Sequence, residues 1–290
     1  EEKGYALGRA LEIRPTDERT ALALAELLTK QNKHQEALRR LKQCQEAGCS
    51  SADFYRSLVS AYHANTDSDA ARSQLNEALR KHPNDTGLLM LQAGEEITAE
   101  HFKTAKAIYA TIIEHDPTFI QAYLRLSELQ FREGRQQEAI ETLTRGGELA
   151  EEKLPLLEKK AELQMKVGAT LKAKETMGII LQLDPNNTAV KGRFAKLLKG
   201  LGFADEASRY YQDLQVAGAL EATDLLDYAE VLIALKRFDE ALKLVSAVIE
   251  TDPLNLLANV LRGAIHTEKG EFKEADEDLR RALKVDSESA

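Results

Sequence analysis

An alanine recurs every 34 residues along this chain, without a single insertion or deletion. It occupies Ala37, Ala71, Ala105, Ala139, Ala173, Ala207, Ala241 and Ala275. A fixed period of this length is typical of a solenoid, in which one supersecondary unit is stacked many times. The chain is therefore expected to fold as a repeat array, in which each repeat packs on its neighbours.

A second marker follows each alanine by twelve residues and is most often proline. Its positions, with one before the first alanine, are Pro15, Cys49, Pro83, Pro117, Glu151, Pro185, Ala219, Pro253 and Ser287. Proline pushes the preceding residue out of the α region, so the marker is expected to end a helix. Gly48 and Gly218 precede two of the other markers, where a left-handed glycine can end the helix instead.

The two markers divide the chain into eight repeats of equal length. Repeats that begin three residues after the marker are 18–51, 52–85, 86–119, 120–153, 154–187, 188–221, 222–255 and 256–289. Residues 1–17 align with the second helix of a preceding repeat whose first helix is missing, so we expect a piece of a larger protein. No linker or low-complexity segment interrupts residues 18–289, which predicts one continuous array.

Repeat four shows what each repeat is expected to form. Its apolar residues recur at spacings of three and four from Ile120 to Leu129, stop at Gly134 and resume at Ala139. This pattern predicts a helix, a turn and a second helix. The recurring alanine is expected where the two helices approach most closely, because a larger side chain there would overpack by about 1–3 kcal/mol.

The repeat resembles that of the tetratricopeptide repeat (TPR) family over every residue from 18 to 289. The family has a large residue at position 4, a small one at position 8 and glycine at position 15. Position 4 is met by Tyr55, Leu89, Tyr123, Leu157 and Leu225, and position 15 by Gly134, Gly168, Gly202 and Gly270. The departures are Lys191 and Asn259 at position 4, and Asn32, Thr66, Glu100 and Lys236 at the turn glycine. The resemblance implies an all-α fold, a right-handed superhelical α-solenoid of helix-turn-helix repeats, and the departures are expected to weaken single hairpins.

Two residue pairs stand apart from the repeat pattern. Cys44 lies at a packing position that usually holds a small residue, and Cys49 lies at the turn between repeats. We favour a buried side chain and an incidental loop thiol, with a local disulfide as the alternative. Gly146 and Gly147 lie inside a predicted helix. We expect Gly146 to permit the close approach of a neighbouring backbone, the alternative being a soft point in the array.

Composition and motifs exclude several classes of function. The chain is 43% hydrophobic and 30% charged, and no run approaches the roughly 20 apolar residues of a membrane span. Its net charge of −9 disfavours nucleic acid as a partner. The sequence contains no glycine-rich phosphate loop, no nucleophile elbow and no HExxH, and its histidines fall at unrelated repeat positions. We therefore expect no catalytic residue, metal site or cofactor, and a soluble protein of the cytoplasm or periplasm.

The TPR resemblance also implies a concave groove lined by the first helix of each repeat. The residues that we expect to contact a partner there are Met90, Ile97, Arg125, Phe131, Arg193, Lys196, Lys199, Leu226, Ile233, Leu257 and Val260. The last four would form an exposed apolar set. Lys196 and Lys199 would either hold an acidic partner or be neutralised by Glu158 and Glu162 of repeat five.

These features favour a non-enzymatic interaction scaffold that binds a polypeptide segment in its groove. The partner is expected to be a protein or peptide with acidic character and apolar anchors. The alternative is an assembly role, in which the array associates with itself through its repeat ends or belongs to a secretion apparatus. The periplasmic part of a bacterial polysaccharide exporter is the example that long arrays of this kind resemble.

Overall fold

The computed structural model describes residues 2–289, with side chains from residue 4 to residue 283. Residues 2–289 form helices joined by short turns and contain no strand, which confirms the predicted all-α repeat fold. The helices are α1 (Glu2–Ile13), α2 (Glu18–Lys30), α3 (His34–Glu46), α4 (Ala52–Ala64), α5 (Ser68–Lys81), α6 (Thr86–Thr98), α7 (Phe102–His115), α8 (Ile120–Arg132), α9 (Gln136–Leu149), α10 (Leu154–Lys166), α11 (Thr170–Leu183), α12 (Thr188–Gly200), α13 (Ala204–Val216), α14 (Ala222–Ala234), α15 (Phe238–Thr251), α16 (Leu256–Lys269) and α17 (Phe272–Ser289). Two helices fall within each 34-residue repeat, beginning with α2 and α3.

The chain divides into two compact units, an N-terminal unit that ends at Leu156 and a C-terminal unit that begins at Leu157. Within the N-terminal unit, the first helices of successive repeats contact one another, α2 against α4 and α4 against α6. Within the C-terminal unit, α12 contacts α14 and α14 contacts α16. We call these two surfaces the N-wall (α2, α4 and α6) and the C-wall (α12, α14 and α16). Nine of the eleven predicted partner-binding residues lie on these helices, and the other two, Arg125 and Phe131, lie on α8.

The recurring alanine lies in the interior of every repeat. All eight alanines are buried, from Ala37 to Ala275, on the second helix of their hairpin. In seven of the repeats, among them those of α2 with α3 and of α16 with α17, the second helix contacts the first. A side chain of one methyl group at this point lets the two helices approach, which explains the strict period of the sequence.

Short polar residues begin the first helix of several repeats. The side chains of Asp17, Ser51, Asp85, Asn187 and Asn255 each accept a hydrogen bond from the backbone N–H three residues further on. These five residues all lie at the last position of a repeat. The same 34-residue period therefore places a capping side chain before five of the first helices, although Phe119 at the equivalent position before α8 cannot cap.

The four residues that replace the turn glycine all adopt its backbone conformation. Asn32, Thr66, Glu100 and Lys236 have φ between 59° and 61°, in the left-handed region that Gly134 also occupies at 80°. Gly48 and Gly218 are left-handed as well, as predicted for helix ends without proline. The hairpin geometry is thus kept where the sequence departs from glycine. The backbone at these four turns adopts a conformation that residues with a Cβ rarely adopt.

The unusual residues at position 4 are integrated by hydrogen bonds. Asn259 donates from Nδ2 to the carbonyl oxygen of Pro253 at 3.1 Å, and Tyr123 makes the equivalent bond from its hydroxyl to Pro117 at 3.1 Å. Lys191 reaches Asp213 on α13 at 3.2 Å. A short amide therefore replaces the phenol in the last repeat without loss of the contact to the proline turn.

Cys44 and Cys49 form a disulfide, so the interpretation of Cys49 as an incidental loop thiol is wrong. Cys44 is buried, as expected for its packing position. The turn that joins the two residues closes with a hydrogen bond from the Cys49 N–H to the Cys44 carbonyl at 3.0 Å. Ala219 and Leu214 make the same bond at 2.9 Å without sulfur. The backbone turn alone therefore brings the two cysteines together, with their Cα atoms 5.4 Å apart.

The paired glycines of α9 have different environments. A Cβ on Gly146 would lie 2.7 Å from Cγ of the Tyr123 ring, whereas a Cβ on Gly147 would meet no atom within 4 Å. The close neighbour of Gly146 is thus an aromatic ring of the same repeat and not a backbone, which corrects the expectation for this position. Gly147 has no packing reason in the structure.

Candidate functional site

Two lysines of α12 are neutralised by carboxylates of the next first helix, α14. Lys196 Nζ lies 2.8 Å from Asp224 and 3.7 Å from Asp227. Lys199 contacts Asp227 and lies 2.6 Å from Glu230. The predicted neutralisation is therefore real, but its acidic partners come from repeat seven and not from repeat five.

The repeat-five acids have other partners. Glu162 accepts hydrogen bonds from Lys166 at 2.6 Å and Lys159 at 3.2 Å, and Glu158 accepts one from Asn187 at 3.3 Å. The hydrogen bond from Lys166 lowers the pKa of Glu162. These contacts are formed along α10 itself and to the N-cap of α12. They leave the α12 lysines to the carboxylates of α14.

The pKa values of the two lysines report the same pairing. The hydrogen bond to Asp224 raises the pKa of Lys196. Burial lowers the pKa of Lys199, but its hydrogen bonds to Asp227 and Glu230 outweigh that effect and the pKa is raised. Both lysines are held in the charged form by the C-wall itself. An acidic ligand would have to compete with three carboxylates for them.

Arg193 is the predicted cation that keeps its charge available. Its side chain is exposed, and its Nε donates to the carbonyl oxygen of Ala189, one turn earlier, at 3.4 Å. Among the described side chains, none forms an ion pair with it. The guanidinium therefore presents most of its donors to solvent on the C-wall.

The predicted apolar set of the C-wall is only partly exposed. Leu226 is 4% exposed, so its assignment as a groove contact is wrong. It belongs to α14, which contacts both α12 and α16, and such packing removes its middle positions from solvent. Ile233 is half-buried, while Leu257 and Val260 on α16 are 45% and 40% exposed. Of these four residues, the two that are exposed both lie on α16.

The candidates in the N-terminal unit offer less exposed surface. Met90 and Ile97 on α6 and Phe131 on α8 are half-buried. Arg125 is exposed but forms an ion pair with Glu128 at 3.2 Å. These four residues stay predictions as partner contacts, and none adds an unpaired charge or a fully exposed apolar side chain.

A cavity between α10, α11 and α12 was not predicted as a site. Its volume is about 520 Å³, and its apolar lining is formed by Met165, Met177, Leu197 and Leu201. Arg193 and Lys196 also line it. Met165 lies at a groove position of its repeat, but Met177 belongs to the second helix. Only the packing of three helices brings these residues together, so no sequence period marks them.

A second cavity, of about 650 Å³, lies between α2 and α4 of the N-wall. Both of its cations are paired, Lys30 with Glu26 at 2.6 Å and Arg56 with Asp85 at 2.6 Å. The Arg56 side chain also lies against the Cα of Gly87, where a Cβ would be 2.4 Å from it. This cavity therefore combines apolar walls with neutralised charges and differs from the cavity beside Arg193.

The arrangement of potential metal ligands and the length of the helices also bear on the sequence-based expectations. Between residues 4 and 283, no group of three His, Cys, Asp or Glu side chains is arranged to hold a metal ion. Within the described part of the chain, no helix is both long and apolar enough to cross a membrane.

Solved structures with this arrangement of helices are TPR proteins. The C-terminal part of a TPR protein from Cytophaga hutchinsonii matches with a TM-score of 0.56 at 15% identity, over 92% of this chain and 95% of that one. YrrB, a TPR protein with an unusual peptide-binding site, matches with a TM-score of 0.52 at 17% identity, over 67% of this chain and 97% of that one. A MamA fragment from Desulfovibrio magneticus RS-1 matches with a TM-score of 0.53 at 15% identity, over 58% and 96%. At these identities the likeness concerns the fold alone.

The sequence itself carries the family pattern. No curated protein matches this chain. The tetratricopeptide repeat profile, however, matches residues 22–86, 193–255 and 226–290, which together make up more than half of the chain. The fold is that of protein–protein interaction scaffolds, which are typically not enzymes. The chain therefore belongs to the tetratricopeptide repeat family.

Proposed function

We propose that this chain is a non-enzymatic scaffold that binds a polypeptide segment along its C-wall. The observation that carries the proposal is the exposure of Leu257 and Val260 on α16, beside a helix that bears the half-buried Ile233. Exposed apolar side chains that lie close together on one face mark interaction sites more often than isolated ones do. The peptide-binding site named for YrrB, a protein of the same fold, supports the same kind of ligand.

An extended or helical segment would gain most of its affinity from apolar contacts at this surface. Lys196 and Lys199 are already paired, so their charges contribute little attraction to an incoming acidic group. We therefore expect affinity at α16 to depend weakly on salt, because burial of apolar surface is not screened by ions.

Selection from a library of peptides displayed with a free C-terminus tests this proposal. Selected peptides are labelled with fluorescein and titrated against the wild-type protein and the variants Leu257→Asp and Val260→Asp. Each variant is expected to weaken binding at least tenfold, because the peptide would bury a carboxylate against its apolar side chain.

Leu254→Asp provides the matched control. Leu254 is 63% exposed and precedes α16, outside the C-wall. This variant is expected to bind like the wild type. Equal binding by all four proteins would show that the selected peptides do not use α16, and the proposal would be wrong.

The self-association alternative stays a prediction and has its own measurement. Light scattering over a range of concentrations gives the mass of the particle. A mass that rises with concentration and falls back in Leu257→Asp would indicate that α16 contacts a second copy of the chain. A constant monomer mass leaves the surface free for the polypeptide.

A further inference from the structure

The cavity between α10, α11 and α12 has apolar walls and is also lined by Arg193. Met177 and Leu197 form buried walls, and Met165, at 38% exposure, lies at the opening. Its volume of about 520 Å³ is within the range of roughly 300–1,000 Å³ found for sites that hold ligands. A methionine-lined wall adapts to apolar side chains of different shapes. The cavity is therefore suited to a class of apolar side chains and not to one particular residue.

The charges at the opening cancel except at one residue. Glu162 is bonded to Lys166 at 2.6 Å, and Lys196 is bonded to Asp224 at 2.8 Å. Arg193 lines the same cavity and has its donors directed to no carboxylate among the described residues. A positive charge thus stands beside an apolar hole, and a carboxylate is the group whose geometry matches a guanidinium in a bidentate manner.

We infer that this cavity receives one apolar side chain of a bound polypeptide, while Arg193 pairs with a carboxylate of the same segment. The carboxylate belongs to an Asp or Glu within about three residues of the apolar anchor, or to the C-terminus of the segment. The inference rests on the proposed function, since it supplies the anchor chemistry for a polypeptide bound at the C-wall. In this arrangement Arg193, and not Lys196 or Lys199, binds the acidic group expected in the partner.

The test of the charge uses Arg193→Glu, a change at an exposed side chain. Peptides selected on the wild-type protein are expected to carry an acidic group beside an apolar residue. They are expected to bind the variant about two- to fivefold more weakly than the wild type. The same peptides with lysine in place of the acid are expected to regain affinity for Arg193→Glu. Synthesis of each peptide with a C-terminal carboxylate or an amide distinguishes the two sources of the acid.

The test of the cavity uses Gly200→Phe. Gly200 lines the cavity, and a Cβ there would meet no atom within 4 Å, so a side chain can be added at the lining without a clash at its Cβ. Gly178→Phe is the matched control, because Gly178 lies in α11, has equally open space and is not part of the lining. Gly200→Phe is expected to reduce affinity at least tenfold, and Gly178→Phe is expected to leave it unchanged. Thermal melting of each variant confirms that it is folded.

The outcomes separate this inference from the proposed function. Peptides that bind Arg193→Glu and Gly200→Phe like the wild type, but lose affinity for Leu257→Asp, would overturn the cavity inference and leave the C-wall proposal standing. A library that yields no peptide for the wild-type protein would overturn both. Two results together would support both: Gly200→Phe loses binding, and the lysine-substituted peptides regain affinity for Arg193→Glu.

Discussion

The adjacent glycines of α9 should differ in their response to the same substitution. In Gly146→Ala the new methyl group would lie 2.7 Å from Cγ and 2.9 Å from Cδ1 of Tyr123. That ring is buried, its hydroxyl is bonded to Pro117 at 3.1 Å, and Arg145 lies over it with 5.8 Å between the guanidinium carbon and the ring centre. The ring cannot move away without breaking these contacts.

The magnitude follows from two opposing effects. Alanine is favoured over glycine in a helix interior by about 1 kcal/mol, and this gain applies to both positions. Overpacking against the ring destabilises only Gly146→Ala, by about 1–3 kcal/mol. We expect Gly147→Ala to stabilise the hairpin by about 1 kcal/mol. Gly146→Ala is expected to be less stable than Gly147→Ala by about 1–3 kcal/mol, because helix propensity cancels between them.

Hydrogen exchange is the appropriate assay, because a repeat array need not unfold in a single step. The free energy of opening is compared for amides of α8 and α9 in the two variants and the wild type. Tyr123→Leu places at this position the residue that three other repeats carry. In that background Gly146→Ala is expected to become stabilising, which a double-mutant cycle measures as the coupling energy. Equal stabilisation by both alanines in the wild-type background would refute the role of the ring.

Three further predictions concern the turn, the C-wall and the acid limb of stability. Thr66→Gly should stabilise its hairpin by about 1 kcal/mol in hydrogen exchange, because a β-branched residue is strained at a φ of 60°. The double change of Lys196 and Lys199 to glutamate should destabilise the C-terminal unit by about 1–2 kcal/mol at low salt and by less at high salt, because it places five acids together. The destabilisation is measured as a lower melting temperature. Burial alone raises the pKa of Asp85, but hydrogen bonds from Arg56 and the Leu88 N–H outweigh it and the folded-state pKa is lowered. Its stabilisation is therefore present above the unfolded-chain pKa of 3.8 and is lost as the pH falls below that value, so Asp85→Asn should flatten the acid limb of a chemical-denaturation series.

Each of these has a clear contrary result. A destabilised Thr66→Gly would mean that the added freedom of the unfolded chain exceeds the strain of the turn. An unchanged melting temperature after reversal of both lysines would mean that the α12–α14 pairs contribute nothing. An unaltered pH profile in Asp85→Asn would place the acid sensitivity of the N-terminal unit on other carboxylates.

The repeat architecture could be predicted because it depends on residues that recur at one period. The alanine and the helix-ending marker twelve residues after it both follow that period, so one repeat explains the others. The left-handed conformation of Thr66 and Lys236 follows from the same logic, since their positions carry glycine in other repeats. Geometry set by the hairpin overrides the local preference of these residues.

The site was harder to predict because it depends on which residues meet between helices. The carboxylates that hold Lys196 and Lys199 come 28 to 31 residues later in the chain. The burial of Leu226 depends on contacts of α14 with both neighbouring first helices. The cavity requires Met177 from a second helix. A pattern that assigns each position of a repeat a fixed direction contains none of this information.

The pairing between α12 and α14 has a consequence for the order of the repeats. All eight share one length and one backbone plan, so their hairpins look interchangeable. Their charges are not, because Lys199 meets Asp227 of the following repeat just as Lys174 meets Glu206 at 3.0 Å. Exchange of repeat seven for another would bring a different residue, such as Leu261 in repeat eight, to the position of Asp227 and leave the lysine without its acid. These ion pairs thus favour one order of the repeats that they join. An array reassembled in another order would keep the 34-residue register but lose these contacts between neighbouring repeats.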